Sequence, residues 1–379
     1  MSSVNPHQTT PAGRPRARSL QIPFSGTPGP ANAITDVPGI EVGICTRIEG
    51  DDVRTGVTAI HPRGKDNPGD PCAAATFSLN GNGEMTGVTW IEESGTLALP
   101  IAITNTHAVG IAQEAIIHWV GSRHPALADM WMLPVSAETW DGYLNDINGG
   151  HVTREHVLQA LDAATVGPIE EGSVGGGTGM NCYSFKGGNG TASRTVAWGS
   201  QTYTVGTLLQ CNFGSRNELS IGGVPLGAAL ADDDPMSEWV AGQVGAGSVI
   251  AIVATDAPLL PGQCKALARR VPLGLARTGT TGGHFSGDIF LAFSTANAGV
   301  FRTGFPSGEP GDGDHDTLRF VPWKWMDLLY AAVVECVEES VVNALVANEE
   351  MVGRGGHRTP ALPRDRVREL LAARGALTP

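Results

Sequence analysis

The sequence predicts a mixed α/β or α+β protein, and three observations carry that prediction. Short β-like runs separated by turn residues fill the region from Ile40 to Asn80. Two later runs, Ser248–Ala254 and Asp288–Ser294, are almost wholly apolar and read as buried strands. Between and after them lie segments whose apolar residues recur at helical spacing.

In chain order, IEVGICTRI (Ile40–Ile48), TGVTAIHP (Thr55–Pro62) and AAATFSLN (Ala73–Asn80) are strand candidates. Asn80-Gly81-Asn82-Gly83 is a strong turn signal. The run Leu97–Thr104 is strand-like. Asn105 or Thr106 is placed to cap a helix to about Val120, with Val109, Ala112, Ile116 and Trp119 on one face. A second helix is expected from Thr153 to Ala164, followed by a Gly-rich loop over Glu171–Gly190. Arg194–Leu209 alternates. Pro261–Arg270 begins with proline, as helices tolerate, and Trp325–Met351 carries Leu328, Leu329, Ala332, Val333, Cys336 and Val337 at helical spacing. A last helix follows Pro363.

Residues 1–21 are polar and Pro-rich and are expected to form a disordered arm; 22–379 reads as one large domain, or two intimately packed halves, because no long linker interrupts it. No apolar signal segment and no run of about 18 apolar residues is present. The formal net charge of −13, without a basic stripe, argues against nucleic acid and anionic membrane as partners. Six cysteines without a CxxC pair read as buried thiols of a reducing compartment, so a cytoplasmic location is expected.

The familiar catalytic signatures are missing. There is no GxSxG elbow, no HExxH and no GxxxxGK[ST]. Gly175-Gly176-Gly177-Thr178-Gly179-Met180 lacks the lysine and hydroxyl of a phosphate loop, and close backbone packing explains it better. Asp312-Gly313-Asp314-His315-Asp316 opens like a calcium loop but has Thr317 and Trp323 where glycine and glutamate belong. Neither a metal nor another cofactor is expected.

The Gly247-Ser248 junction stands out by context. Gly245-Ala246-Gly247 is unhindered, and Ser248 opens a buried apolar strand. That arrangement suits attack of the Ser248 hydroxyl on the Gly247 carbonyl, an N-to-O acyl shift, and hydrolysis.

Eight stretches in order carry a family resemblance: NAITDVPGIEVG (Asn32–Gly43), RTGVTAIHPRG (Arg54–Gly64), NGNGEMTG (Asn80–Gly87), AETWDGYLNDIN (Ala137–Asn148), EGSVGGGTGM (Glu171–Met180), QCNFG (Gln210–Gly214), GAGSVIAIVATDAPL (Gly245–Leu259) and HFSGDIFLAFSTAN (His284–Asn297). From about Arg18 to about Ala347 the chain resembles the L-aminopeptidase D-Ala-esterase/amidases and β-aminopeptidases of the DmpA type, N-terminal-nucleophile-like serine hydrolases. The resemblance implies an α+β fold, the four-layer αββα sandwich of DmpA/ArgJ-like proteins. It implies a cut into an α chain, 1–247, and a β chain, 248–379, and a homotetramer of such pairs acting on small peptides or amino acid amides. An ω-amino acid oligomer amidase, and a non-catalytic member binding ligand at the Gly-rich loop, are the alternatives.

The resemblance also assigns residues. Ser248 is the nucleophile, and its α-amine, titrating near ~7.7, can act as base for its own hydroxyl. Ser286 and Asp288 sit against the nucleophile as an alternative base; two apart on a strand, they point to one side. Asn212 matches an oxyanion-hole amide. Glu138 matches the carboxylate that holds the substrate amine. Trp140 stands where the family often has tyrosine, which leaves it as a donor from another position or a pocket wall, with Tyr143 as a possible stand-in.

Overall fold

The computed structural model describes residues 5–237, 239, 247–306 and 308–378. Its strands are, in chain order, Glu41–Glu49 (β1), Val53–His61 (β2), Cys72–Gly81 (β3), Thr96–Leu97 (β4), Ile101–Asn105 (β5), Val135–Thr139 (β6), Asn181–Cys182 (β7), Phe185–Lys186 (β8), Gly188–Trp198 (β9), Gln201–Asn212 (β10), Ser220–Ile221 (β11), Val224–Pro225 (β12), Gly247–Thr255 (β13), Ser286–Ser294 (β14), Met351–Val352 (β15) and Arg358–Thr359 (β16). The helices are Val88–Ser94 (α1), Val109–Arg123 (α2), Arg154–Asp162 (α3), Pro261–Ala268 (α4), Val271–Arg277 (α5), Met326–Val346 (α6) and Arg364–Ala372 (α7).

Two sheets stack between two helical layers. One sheet has the order β1-β2-β5-β6, the other β4-β3-β14-β13-β10-β9. Ile101, Ile103 and Ala137 of the first meet Leu208, Ile250, Ile252, Leu291 and Phe293 of the second in a shared core. Ala112, Ile116, Trp119, Val157 and Leu161 of α2 and α3 cover the outer face of the first sheet. Cys264, Leu267, Val271, Val333 and Val337 of α4, α5 and α6 cover the outer face of the second, against Val249, Ala251 and Phe290. This is the αββα sandwich.

The apolar run Leu97–Thr104 proves to be two strands in different sheets. Pro100 cannot donate to a ladder, and the chain crosses layers there, leaving β4 on the edge of one sheet and β5 inside the other. The Asn105 side chain accepts from His107 and Ala108 N–H and caps the turn leading into α2, as its residue type predicts. β13 and β14 run parallel at the centre of the six-stranded sheet and are buried on both faces, which is why they read as continuous apolar runs.

The expected disordered arm is corrected over its described residues, 5–21. Arg16 is buried and pairs with Glu171 at 2.5 Å, and it also donates to the carbonyls of Ala31, Asn32 and Thr191. Arg18 makes a two-point pair with the wholly buried Glu339 of α6, and Ala17 N–H donates to Asn343. A polar, Pro-rich composition does not prevent ordering when two of its cations, Arg16 and Arg18, meet buried carboxylates. The Gly-rich loop is likewise a packing device. A Cβ on Gly176 would lie 2.2 Å from Gln210 Oε1 and 2.5 Å from the Ile103 carbonyl oxygen.

Candidate active site

Ser248 is the second residue of β13, and it lies opposite Asn212 of β10 and beside Gly287 of β14. Its side chain is 2% exposed, and its hydroxyl has no hydrogen-bond partner among the described residues. A buried polar group without a partner is rare and calls for an explanation; reactivity is one. Gly245 and Ala246, read as the flexible approach to the junction, lie outside the described residues. Gly247 needs to be glycine for a local reason: a Cβ there would sit 2.6 Å from the Asn212 carbonyl oxygen and 3.0 Å from Phe213 Cα.

A cavity of about 920 Å³ opens over this point. Ser248, Asn212, Glu138, Trp140, Tyr143 and Gly247 all line it, so the two-sheet fold brings residues from three separate stretches of sequence to one space.

The Asn212 amide is oriented unambiguously. Its Oδ1 accepts from Asn181 N–H at 2.9 Å, and its Nδ2 donates to the Trp140 carbonyl at 3.0 Å. One partner can only donate and the other can only accept, which fixes the flip. One amide hydrogen remains for a further acceptor.

Glu138 is the last residue but one of β6, beside Thr104 of β5. It is 2% exposed and accepts from Glu84 N–H at 2.9 Å and from the Thr106 hydroxyl. No salt bridge reaches it among the described residues. Burial pushes its carboxyl above the usual range, and the two hydrogen bonds only partly offset that. Such a group gains from a cation supplied by a ligand. The turn Asn82-Gly83 fills the gap between the sheets here: a Cβ on Gly83 would lie 3.1 Å from both Glu138 Oε1 and Gly287 Cα.

Ser286 donates to Asp288 Oδ1 at 2.6 Å, so the two do share a side of β14. Asn80 Nδ2 donates to the other carboxylate oxygen at 2.9 Å. Burial raises the Asp288 carboxyl above its ordinary range. Their placement relative to Ser248 differs from the expectation. Asp288 is in register with Val249 and shares the helix-facing side with Phe290, whereas Ser248 shares the inter-sheet side with Ile250. In the continuous chain the pair therefore flanks the main chain of residues 247–249 and borders a separate cavity of about 140 Å³.

Trp140 is 40% exposed and walls the cavity; its ring folds over Gly142, where a Cβ would meet it at 2.3 Å. Tyr143 is no free oxyanion donor, because its hydroxyl reaches the Arg358 carbonyl at 3.3 Å and its ring stacks on His357 at 4.7 Å. Sequence reasoning missed the contribution of Asn181 and Thr106; neither residue type nor spacing singles them out.

Comparison with known proteins gives the family and the fold. The profile of peptidase family S58 matches residues 32–359. A β-peptidyl aminopeptidase BapA from Sphingosinicella microcystinivorans is 44% identical over 375 residues, spanning 94% of this chain and 92% of that protein. A Burkholderia sp. β-aminopeptidase superimposes with a TM-score of 0.87 at 44% identity, over 96% of this chain and 100% of that one. The L-aminopeptidase D-Ala-esterase/amidase of Ochrobactrum anthropi, described as a prototype for the serine aminopeptidases and a variant of the Ntn hydrolase fold, superimposes with a TM-score of 0.88 at 44% identity, over the same shares.

Proposed function

The chain belongs to peptidase family S58, and from that premise we infer that it is a serine aminopeptidase or amidase that frees its own nucleophile by cutting between Gly247 and Ser248. It then removes N-terminal residues from short peptides, amides or esters through an acyl-enzyme on Ser248. The observation that carries the reading is the buried, unpartnered Ser248 hydroxyl facing a cavity that also holds a desolvated carboxylate and an oriented amide.

The chemistry follows from these groups. Cleavage turns the Ser248 main-chain nitrogen into an α-amine, which titrates near ~7.7 and is partly neutral at working pH. That amine takes the hydroxyl proton as Oγ attacks the substrate carbonyl. Asn212 offers its remaining N–H to the oxyanion. Glu138 holds the substrate ammonium, which restricts the enzyme to free N-termini. Ser286 and Asp288, beside the main chain of residues 247–249, hold the ammonium form of Ser248 and set how readily it gives up its proton. Trp140 acts as a wall.

Assembly into a homotetramer of αβ pairs and a cytoplasmic location complete the proposal. The six buried free thiols fit a reducing compartment, and no helix among the described residues is long and apolar enough to cross a membrane. The wholly buried Gly175–Gly177 turn does not favour ligand binding at the Gly-rich loop. Two experiments test the reading. Denaturing electrophoresis of the purified protein should show two bands matching 1–247 and 248–379. A panel of α-L, α-D and β-amino acid p-nitroanilides should show hydrolysis of at least one class, lost on N-acetylation. A single full-length band with no hydrolysis would sink the reading.

A further inference from the structure

Lys186 is wholly buried, yet no carboxylate pairs with it among the described residues. Its Nζ donates instead to two main-chain carbonyls, Met180 at 2.5 Å and Gly187 at 2.9 Å. Burial lowers its pKa to about 7, a measure of how poorly the site suits a cation. Neither carbonyl needs the lysine. Met180 O also accepts from Gly187 N–H at 2.9 Å, and Gly187 O accepts from Asn348 Nδ2 at 2.8 Å. A methionine in its place would leave no main-chain group orphaned, so the lysine has no evident use in stability.

Its use is visible one bond away. The Met180 carbonyl and the Asn181 N–H belong to a single planar peptide group. That N–H is the one that donates to Asn212 Oδ1 at 2.9 Å. Fixing the direction of the carbonyl fixes the direction of the N–H. A donor on the carbonyl also polarises the peptide and strengthens the N–H as a donor.

The surrounding hairpin shows the same emphasis. The turn between β7 and β8 is Tyr183-Ser184, with φ values of 54° and 56°. Two consecutive residues in the left-handed region suit Asn-Gly, and neither is present. The turn is held from outside: Arg216 donates from Nε to the Tyr183 carbonyl at 2.9 Å and from Nη2 to the Ser184 carbonyl at 2.6 Å, with its guanidinium 3.5 Å from the centre of the Phe185 ring. Arg216 thus pins the tip of the hairpin and Lys186 pins its open end, where Asn181 meets Asn212.

We propose that Lys186 is a positioning residue for the oxyanion amide, acting on Asn212 through the planar Met180–Asn181 peptide group. This rests on the reading of Asn212 as the oxyanion donor. The test is a double-mutant cycle on the full chain, with kcat measured per matured molecule and thermal unfolding measured alongside. Lys186→Met should lower kcat about tenfold or more, below the ~10²-fold that a 1 Å misplacement can cost, with KM little changed and Tm unchanged or higher. In the Asn212→Ala background the same substitution should cost less than about twofold, because the group it positions is gone. Lys186→Leu, which also removes the donor, is the second variant should the methionine protein fail to fold, and the same coupling is required of it. An equal loss of kcat in both backgrounds, or a kcat that falls only in step with Tm, would overturn the proposal. If Asn212→Ala alone leaves kcat intact, it is the oxyanion reading that fails, and the two failures are distinct.

Discussion

Ser248 and Asn212 are cross-strand partners: they stand opposite each other where β13 meets the end of β10. The pairing puts the proposed nucleophile and an oriented amide at fixed spacing on a sheet. No loop has to order for them to meet. Gly247, whose carbonyl is the proposed first point of attack, precedes Ser248 on β13.

Maturation should depend on the hydroxyl of Ser248. Ser248→Ala removes the atom that makes the acyl shift, keeps Cβ and breaks no hydrogen bond among the described residues, so the chain should fold, stay full length on a denaturing gel and be inactive. Two bands from this variant would mean that another protease makes the cut.

Gly247 should be required for the cut for steric reasons. The Cβ of Gly247→Ala would come within 2.6 Å of the Asn212 carbonyl oxygen, so the start of β13 must shift away from β10. Near-attack geometry is lost by displacements of about 1 Å, with rate costs of about 10². Precursor should accumulate, visible as a slow time course of cleavage after synthesis. A cleavage rate equal to the native one would show that the junction is not held by β10.

The pieces of this site were unequally legible in the sequence. Ser248 announces itself, because a Gly-Ser step opening a β-branched apolar run is a local signal. Alternation correctly put Ser286 and Asp288 on one side, but not which side relative to Ser248. That depends on Ser248 pairing with Gly287 rather than Ser286, a fact of inter-strand register. Glu138 came only from family resemblance, because β6 is a five-residue strand, VSAET, without enough apolar pattern to be seen. The N-terminal arm looked disordered because the carboxylates that order it, Glu171 and Glu339, lie far away in sequence. The Tyr183-Ser184 turn was invisible because its residues are not turn formers.

Asn212→Ala should lower kcat by about 10²–10³-fold, the usual cost of one oxyanion donor, while KM changes little. The fold should tolerate it, although Asn181 N–H and the Trp140 carbonyl lose a partner, and a modest drop in Tm is expected. Steady-state kinetics on an amino acid p-nitroanilide decide this, and an unchanged kcat removes Asn212 from the reaction.

The acid limb of the pH profile should divide between two carboxyls. Burial raises both Glu138 and Asp288 above the usual carboxylate range. As the pH falls through the raised Glu138 pKa, the substrate ammonium loses its counter-charge and KM rises. Protonation of Asp288 acts on the Ser248 amine and should appear in kcat. Glu138→Gln should therefore flatten the limb in KM and leave the limb in kcat. A native enzyme with pH-independent KM down to the usual carboxylate range would contradict the assignment.

Glu138→Gln also separates function from stability. A carboxyl whose folded pKa is raised contributes stability that is fully present below its unfolded pKa and lost as the pH rises through its folded pKa. At neutral pH the ionised Glu138 thus costs stability, so the neutral glutamine, which keeps an acceptor for Glu84 N–H, should raise Tm. Activity should move the other way. Removing one partner of a desolvated charge pair costs roughly 2–5 kcal/mol, so kcat/KM for free-amine substrates should fall by about one to three orders of magnitude. Part of that loss reaches kcat, because the clamp also places the scissile carbonyl. N-acetylated substrates carry no ammonium and would leave Glu138 buried and unpaired, so the native enzyme should reject them. The variant should discriminate less between free and acetylated amines. Native hydrolysis of both at equal rates would show that Glu138 is not an amine clamp, and the enzyme would then be a general amidase. A Tm that falls together with activity would mean instead that the carboxylate holds the turn at Glu84 and Thr106 in place.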